Sequence, residues 1–522
     1  MQIYSFSPFG YEGSLVTVEV DIRRGIPAID LVGLADNAVK EARERMQAAI
    51  RNSGFEFPPE RVLISLSPAD LKKEGAGFDL PIALAVLNAQ KRQSDNNLSD
   101  AASQQILVMG ELELSGKIRA VRGIHAAAST AAAGGITMCI VPAANADEAR
   151  EVSGMSVFGA ESLEDAFSAL NNQDVFSKKT SRASDISASY PDCDFTDGIP
   201  FCKITEAIEF SHIKGQKKLI RALQVAAAGG HNVLAVGAPG CGKTMAMQKF
   251  PALLPALTKE EMQSVSRIHS IAGLMNPSKP LICLPPFRMP HQTASIEGLC
   301  GGGPQCRPGE ISLAHNGVLF LDEAPEFKSS VLQMLRVPLE SSKISISRAG
   351  RTTVFPANFQ LLMAANPCPC GNYGSETKIC LCSARSIELY WKKFSAPLLD
   401  RVDIRVYVKN ETDNSTSQKS TSTAELRKQI AKAISIQRNR QGKKNAAMSP
   451  SEIIQFCKIN EDSKKLLDIS SSKYSFSPRA NSSILKVART IADMSGKISI
   501  DKEDLSEAIE LRKSFCNFME LT

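Results

Sequence analysis

The chain has 522 residues, 43 % of them hydrophobic and 22 % charged, with a formal net charge of +6. That length exceeds one core and sets a prior of about three domains. The mild charge leaves any nucleic-acid surface to local argument, and the lack of an uncharged apolar run of about 18 residues excludes a helical membrane span. The start, Met1-Gln-Ile-Tyr-Ser-Phe6, has no basic stretch leading into an apolar core and so reads as no secretory signal. With 13 scattered cysteines, this points to reduced thiols in the cytoplasm and not to a disulfide framework.

Residues 1–170 read as one α+β domain. Alternation over 15–20 and apolar residues over 62–66 predict strands. Ala38, Ala42, Met46, Ala49 and Ile50 fall at helical spacing in a segment 35–52 that ends near Gly54. Residues 80–89 and 124–133 also read as helices, Gly134-Gly135 stopping the second. Between 171 and 200 Asn, Ser, Lys and Asp dominate and apolar periodicity disappears, which reads as a linker.

From 201 to 408 strands and helices alternate, the pattern of a parallel sheet covered on both faces, so the fold class is α/β. The run Asn232-Val-Leu-Ala-Val236 leads into Gly237-Ala238-Pro239-Gly240-Cys241-Gly242-Lys243-Thr244, a phosphate loop in its strand–loop–helix context. Its glycines let backbone N–H groups wrap an anion at a helix N-terminus. Lys243 is placed for the β/γ-phosphates and Thr244 for Mg²⁺. Downstream, Gly317-Val-Leu-Phe-Leu-Asp322-Glu323 is an apolar strand ending in two acids: Asp322 to complete the Mg²⁺ shell, Glu323 to polarise the attacking water. A third strand ends at Asn366, either a water- or γ-phosphate-orienting residue or a turn-former before Pro367. In Pro397-Leu-Leu-Asp400-Arg401-Val-Asp403, Arg401 is either a local ion pair or an arginine finger for a neighbouring subunit. Arg479, at a helix start after Ser477-Pro478, is a second candidate for contact with the nucleotide.

Residues 409–424 are a polar, Ser/Thr-rich connector. Beyond it Leu426, Ile430, Ala433 and Ile434 share one helical face, and 478–494 and 501–513 add helices, giving an all-helical region over 425–522.

These motifs resemble an AAA+ ATPase: 237–244 the Walker A loop, 318–323 Walker B, Asn366 sensor 1 and 399–401 the arginine finger. More narrowly, residues 226–232, 309–317 and Asn366-Pro-Cys-Pro-Cys-Gly371 resemble the magnesium-chelatase-like YifB/ComM family over nearly the whole chain. The resemblance implies ATP and Mg²⁺ as cofactors, a homo-hexameric ring and a C-terminal helical lid whose sensor 2 arginine is Arg479. For ComM members it implies ATP-driven branch migration of DNA. Residues 1–170 resemble the Lon-protease proteolytic domain. Gly77 stands where that family has its nucleophilic serine, and His125 where it has its catalytic lysine, so neither half of a Ser–Lys dyad is present.

Cys368-Pro-Cys370 and Cys380-Leu-Cys382 present four thiolates in one loop. They suit tetrahedral Zn²⁺, less well an iron–sulfur cluster, and otherwise are buried or redox-active thiols. Lys343, Arg348 and Arg351 put cations on a β-hairpin over 343–355 that has no acid. It is either a DNA-gripping pore hairpin or a solvated basic turn or subunit contact. Residues 286–295 read as a second pore or interface loop. The expected activity is an ATPase that translocates DNA; the alternative is a chelatase-type motor remodelling a protein partner.

Overall fold

The structure is a computed structural model, describing residues 2–33, 37–69, 73, 76–94, 104–178, 190–276, 279–303, 305–348, 351–374, 378–409 and 421–513. In the N-terminal domain, β1 (Gln2–Ser7), β2 (Ser14–Arg23), β3 (Ala28–Val32), β4 (Arg61–Ser67), β5 (Gln105–Val108), β6 (Met138–Pro142), β7 (Ser156–Ala160) and β8 (Ser177–Lys178) form a sheet. Their lateral order is β8-β7-β6-β5-β1-β2-β4-β3. Neighbours β1–β5, β5–β6, β6–β7 and β3–β4 run parallel, whereas β1–β2, β2–β4 and β7–β8 run antiparallel. The strand period of two divides the core. Ile106, Val108 and Ile140 face α1 (Asn37–Asn52) and α2 (Asp79–Ser94), while Leu107, Cys139 and Val141 face α3 (Ile124–Ala133).

The segment read as a linker carries structure at both ends. Ser177–Lys178 extends the sheet as its edge strand, and Cys193–Thr196 pairs with Ile199–Cys202 across Asp197-Gly198. Both turn residues have positive φ, 47° and 78°, as a two-residue hairpin turn requires. Phe201 of this ribbon is fully buried in the core of the next domain, beneath the Arg427 guanidinium.

The central domain is built on β9 (Val233–Gly237), β10 (Phe287–Arg288), β11 (Val318–Leu321), β14 (Gln360–Ala365) and β15 (Ile404–Val408), with β12 (Lys343–Arg348) and β13 (Arg351–Pro356) as a separate hairpin. The five-stranded sheet has the order β10-β11-β14-β9-β15, and every neighbouring pair is parallel. Strand β9 is buried on both faces: Val233 and Ala235 pack in one cluster, Leu234 and Val236 in the other. Helices α4 (Lys217–Gly229), α5 (Lys243–Gln248), α6 (Lys259–Ala272), α7 (Pro338–Ser341) and α8 (Ala384–Lys392) surround it.

Helices α9 (Thr423–Gln441), α10 (Pro450–Phe456), α11 (Glu461–Lys473), α12 (Pro478–Ser495) and α13 (Lys502–Lys513) form the C-terminal region. A capping box of Ser422 and Glu425 starts α9. Among the described residues no helix is long and apolar enough to cross a membrane.

Helix α6 joins the first two domains. Arg267 donates to Tyr11 O, Glu12 O and Thr130 Oγ1, and stacks on the Tyr11 ring. Tyr11 and Gly10 in turn meet the hairpin: Tyr11 N–H donates to Thr353 Oγ1 at 3.2 Å. A Cβ on Gly10, which sits at φ +63°, would lie 1.8 Å from that oxygen. His125, read from the sequence as standing where a Lon-protease domain has its lysine, is buried in this junction with Nε2 2.8 Å from Gln263 of α6. Burial pushes its pKa down to about 4, so at neutral pH it is an uncharged packing group.

Asp403 ties the lid to the sheet. It accepts from Asn232 N–H at 3.1 Å and Ser483 Oγ at 2.5 Å, and lies 3.6 Å from His231 Nδ1. Burial alone would raise its pKa, but His231, Ser483 and Arg512 outweigh that and hold it at about 2. Asp403→Ala leaves these donors without an acceptor and is expected to cost about 1–3 kcal/mol in denaturant unfolding. Because the folded-state pKa is depressed, the Asp403 contribution is complete above the ordinary carboxyl pKa of about 4. It disappears as pH falls towards 2, so wild type and Asp403→Asn should converge in stability there.

Candidate nucleotide site

The C-terminal end of β9 turns directly into the phosphate loop. Gly237 is required by packing, since a Cβ there would lie 2.4 Å from Val408 O. Gly240 and Gly242 have φ of +79° and +83°, a region that glycine enters without strain. The loop ends at α5, whose first residue is Lys243.

Lys243 is only 7 % exposed and folds back over its own loop. Its ammonium donates to Gly237 O at 2.6 Å, Ala238 O at 2.9 Å and Asn366 Oδ1 at 3.3 Å. Burial lowers its pKa, partly offset by Cys241, Asp322 and Glu323. Thr244 Oγ1 donates to Asp322 Oδ1 at 3.1 Å, and the Glu323 N–H donates to the same oxygen at 3.0 Å. The loop, the acidic end of β11 and the polar end of β14 therefore meet at one edge of the sheet. The hydroxyl and carboxylate of Thr244 and Asp322 are hard oxygen donors that fit Mg²⁺. Glu323 stands in the left-handed region at φ +48° and is exposed. Its Oε2 accepts from Gln292 Nε2 at 2.5 Å. Gln292 belongs to the 286–295 loop, so that loop reaches the phosphate-loop end of the sheet; elsewhere in it His291 hydrogen-bonds to Thr293.

Arg401 and Arg479 lie elsewhere. Arg401 precedes β15, and Asn232 Nδ2 donates to its carbonyl at 3.0 Å, which puts it at the N-terminal end of the strands. The length of β9, about 16 Å at 3.3 Å per residue, separates that end from the phosphate loop. Both arginines reach Glu340 of α7: Arg401 Nη2 at 2.5 Å and Arg479 Nη1 at 3.7 Å. They line a cavity of about 580 Å³ with Lys444 and Lys486. Glu340 stays ionised, its pKa lowered first by the hydrogen bond from Arg401 and then by the nearby guanidinium charges. The pairing with Glu340 and the Gln292 contact join residues far apart in sequence, and no local pattern signals them.

In the hairpin, Ile344 and Phe355 are buried, whereas Lys343, Ser345, Ser347, Thr352 and Val354 are exposed. Arg348 and Arg351 pair in register at its tip; the turn itself lies outside the described residues.

The cysteines Cys368, Cys370, Cys380 and Cys382 converge, their sulfurs all within 4.8 Å of one another. Three sulfur pairs measure 3.3, 3.6 and 3.6 Å. Tetrahedral zinc with Zn–S of about 2.3 Å needs sulfurs about 3.8 Å apart, so the donor set and spacing fit. Tyr373 N–H donates to Cys368 Sγ at 3.3 Å, and the Asn372 N–H, with Cys368, holds the Cys370 thiol down at about 6. Cys300 and Cys306 are buried and take no part.

Three family models match the chain. "Magnesium chelatase, subunit ChlI" covers 209–416, "Subunit ChlI of Mg-chelatase" 18–145, and "Magnesium chelatase, subunit ChlI C-terminal" 420–512. The fold and site are those of a magnesium-chelatase-like AAA+ ATPase. The chain is 38 % identical over 518 residues to competence protein ComM of Haemophilus influenzae, covering 98 % of this chain and 97 % of that one. It is 36 % identical over 514 residues to YifB of Escherichia coli, covering 98 % and 96 %. A magnesium-chelatase 38 kDa subunit of Acidiphilium rubrum is 26 % identical over 182 residues, 30 % of this chain and 52 % of that one. The chain belongs to the YifB/ComM family.

Replacing Glu323 by Gln keeps an acceptor for Gln292 but removes the carboxylate expected to polarise the attacking water. We expect nucleotide affinity to hold while phosphate release falls about 10²-fold or more. Lys243→Ala should instead lose nucleotide binding itself, measured with a fluorescent ATP analogue.

Proposed function

We propose that this protein is a ring-forming, homo-hexameric ATPase that couples ATP hydrolysis to movement along branched or single-stranded DNA, driving branch migration. The observation that carries the ring is the separation of its parts. Lys243, Thr244, Asp322 and Asn366 meet at one end of the sheet, while Arg401 and Arg479 meet at the other. Guanidinium groups so far from their own phosphate loop suit a site completed by the next subunit, where they would stabilise the charge developing on its γ-phosphate. ATP and Mg²⁺ are the cofactors of this cycle, and Zn²⁺ is the metal for the four cysteines.

DNA as the substrate is supported by the hairpin, which exposes Lys343, Ser345, Ser347 and Thr352 and whose strands end in Arg348 and Arg351. A relative that carries the name competence protein adds to it. Proteolysis is not part of this reading: Gly77 has no side-chain nucleophile, and His125 is buried against Gln263. We place the activity in the cytoplasm, without a membrane partner. The 26 % match to a magnesium-chelatase subunit favours the second reading, an ATP motor acting on a protein partner.

The test is ATP-driven strand movement on a synthetic four-way junction. Wild type should move strands; Lys243→Ala and Arg401→Ala should not. Arg401→Ala should still bind ATP while its turnover falls about 10³-fold. Mixing the two inactive variants should restore part of the ATPase, because some interfaces then hold an intact loop and an intact arginine. An active wild-type ATPase that leaves the junction unmoved would favour the motor for a protein partner. No recovery on mixing would count against completion between subunits.

A further inference from the structure

The cysteine cluster and the phosphate loop are in contact. Gly371, inside the knuckle at φ +78°, lies so close to the loop that a Cβ on it would be 2.5 Å from Pro239 Cδ. Two residues before Cys368, the same strand end supplies Asn366 to Lys243. The chain between these points is pinned: Trp391 Nε1 donates to Pro367 O at 3.0 Å, and Cys368 is fully buried. Gly371 N–H closes a turn onto Cys368 O at 3.0 Å. On its far side, Ile379 and Leu381, which flank Cys380, are 83 % and 90 % exposed, so that arm of the knuckle has little apolar core of its own.

From this contact we infer that metal bound by Cys368, Cys370, Cys380 and Cys382 is a structural part of the nucleotide site, holding Gly371 against Pro239 and Asn366 against Lys243. The inference rests on reading the cysteines as a Zn²⁺ site. A cross-link through four sulfurs fixes a loop that packing fixes only at one end. Losing it lets residues 367–371 relax away from the phosphate loop, and the cost is paid in nucleotide affinity. The site residues themselves stay intact. Displacements of about 1 Å at such sites change function by up to 10²-fold.

The experiment uses the full chain as purified. Zinc is measured by metal analysis, and ATP affinity with a fluorescent analogue, before and after zinc is released by a mercurial reagent that is then removed with excess thiol. Zinc chloride is then added back. About one zinc per chain is expected, with ATP affinity falling about tenfold or more on its release and returning on readdition. Cys380→Ser should lose zinc and affinity together, and Cys193→Ser, outside the cluster, should change neither. Gly371→Ala separates contact from metal, since its ligands are untouched: zinc should remain while ATP affinity falls. Circular dichroism of each species distinguishes loss of the site from loss of the fold. If zinc is bound but its release and Gly371→Ala both leave ATP affinity within about twofold, the coupling is wrong and the zinc site stands. If no zinc is bound, both fall.

Discussion

A parallel sheet has two unlike ends, and the working parts of this molecule are distributed between them. Because β9, β11 and β14 run in one direction, their C-terminal ends deliver the phosphate loop, Asp322 and Asn366 to one edge. The same direction puts the entry to β15, and with it Arg401, at the opposite edge. No side-chain rotation carries an arginine across the length of a strand. The division follows from topology, and it leaves the phosphate loop with its acids at one end of the sheet and a separate pair of arginines at the other.

The hairpin has a comparable dual attachment. Its buried face packs Ile344 and Phe355 inward, and Thr353 meets Gly10 and Tyr11 of the N-terminal domain. Tyr11 in turn sits under Arg267 of α6, which follows the phosphate-loop helix in the chain. The N-terminal domain thus touches both the hairpin and the helical layer of the ATPase core. Buried and uncharged, His125 is part of the joint between the domains.

What was legible in the sequence was local. The phosphate loop, the acidic strand end and the cysteine pairs are carried by adjacent residues, and the geometry brings together those expected at the phosphate edge. The α/β class followed from strand–helix alternation, and the structure has it. The Asp197-Gly198 turn carried a recognisable hairpin signal inside a stretch that composition alone labels a linker. Edge strand β8, Ser177–Lys178, carried none, because two polar residues have no periodicity. Arg479 resembles a residue that meets the nucleotide, yet it joins Arg401 at Glu340. That pairing depends on how the lid packs, which no short window encodes. The Gly371–Pro239 contact is of the same kind, set by the third dimension.

The Glu340 carboxylate shows how such a detached pair can rest without being locked. The Arg401 side chain is 9 % exposed, and its Nε has no hydrogen-bond partner among the described residues, so leaving its charge unbalanced would be costly. Glu340, by contrast, is 62 % exposed and stands on the short helix α7, one turn from the start of the hairpin. An exposed carboxylate surrenders little on returning to water. A phosphate offers the same two guanidinium groups more oxygens and more charge. On the proposed reading, exchanging Glu340 for a phosphate would be an exchange between two anions at a site already built for one. Only the exposed partner would have to move, and it stands one turn from the hairpin proposed to meet DNA.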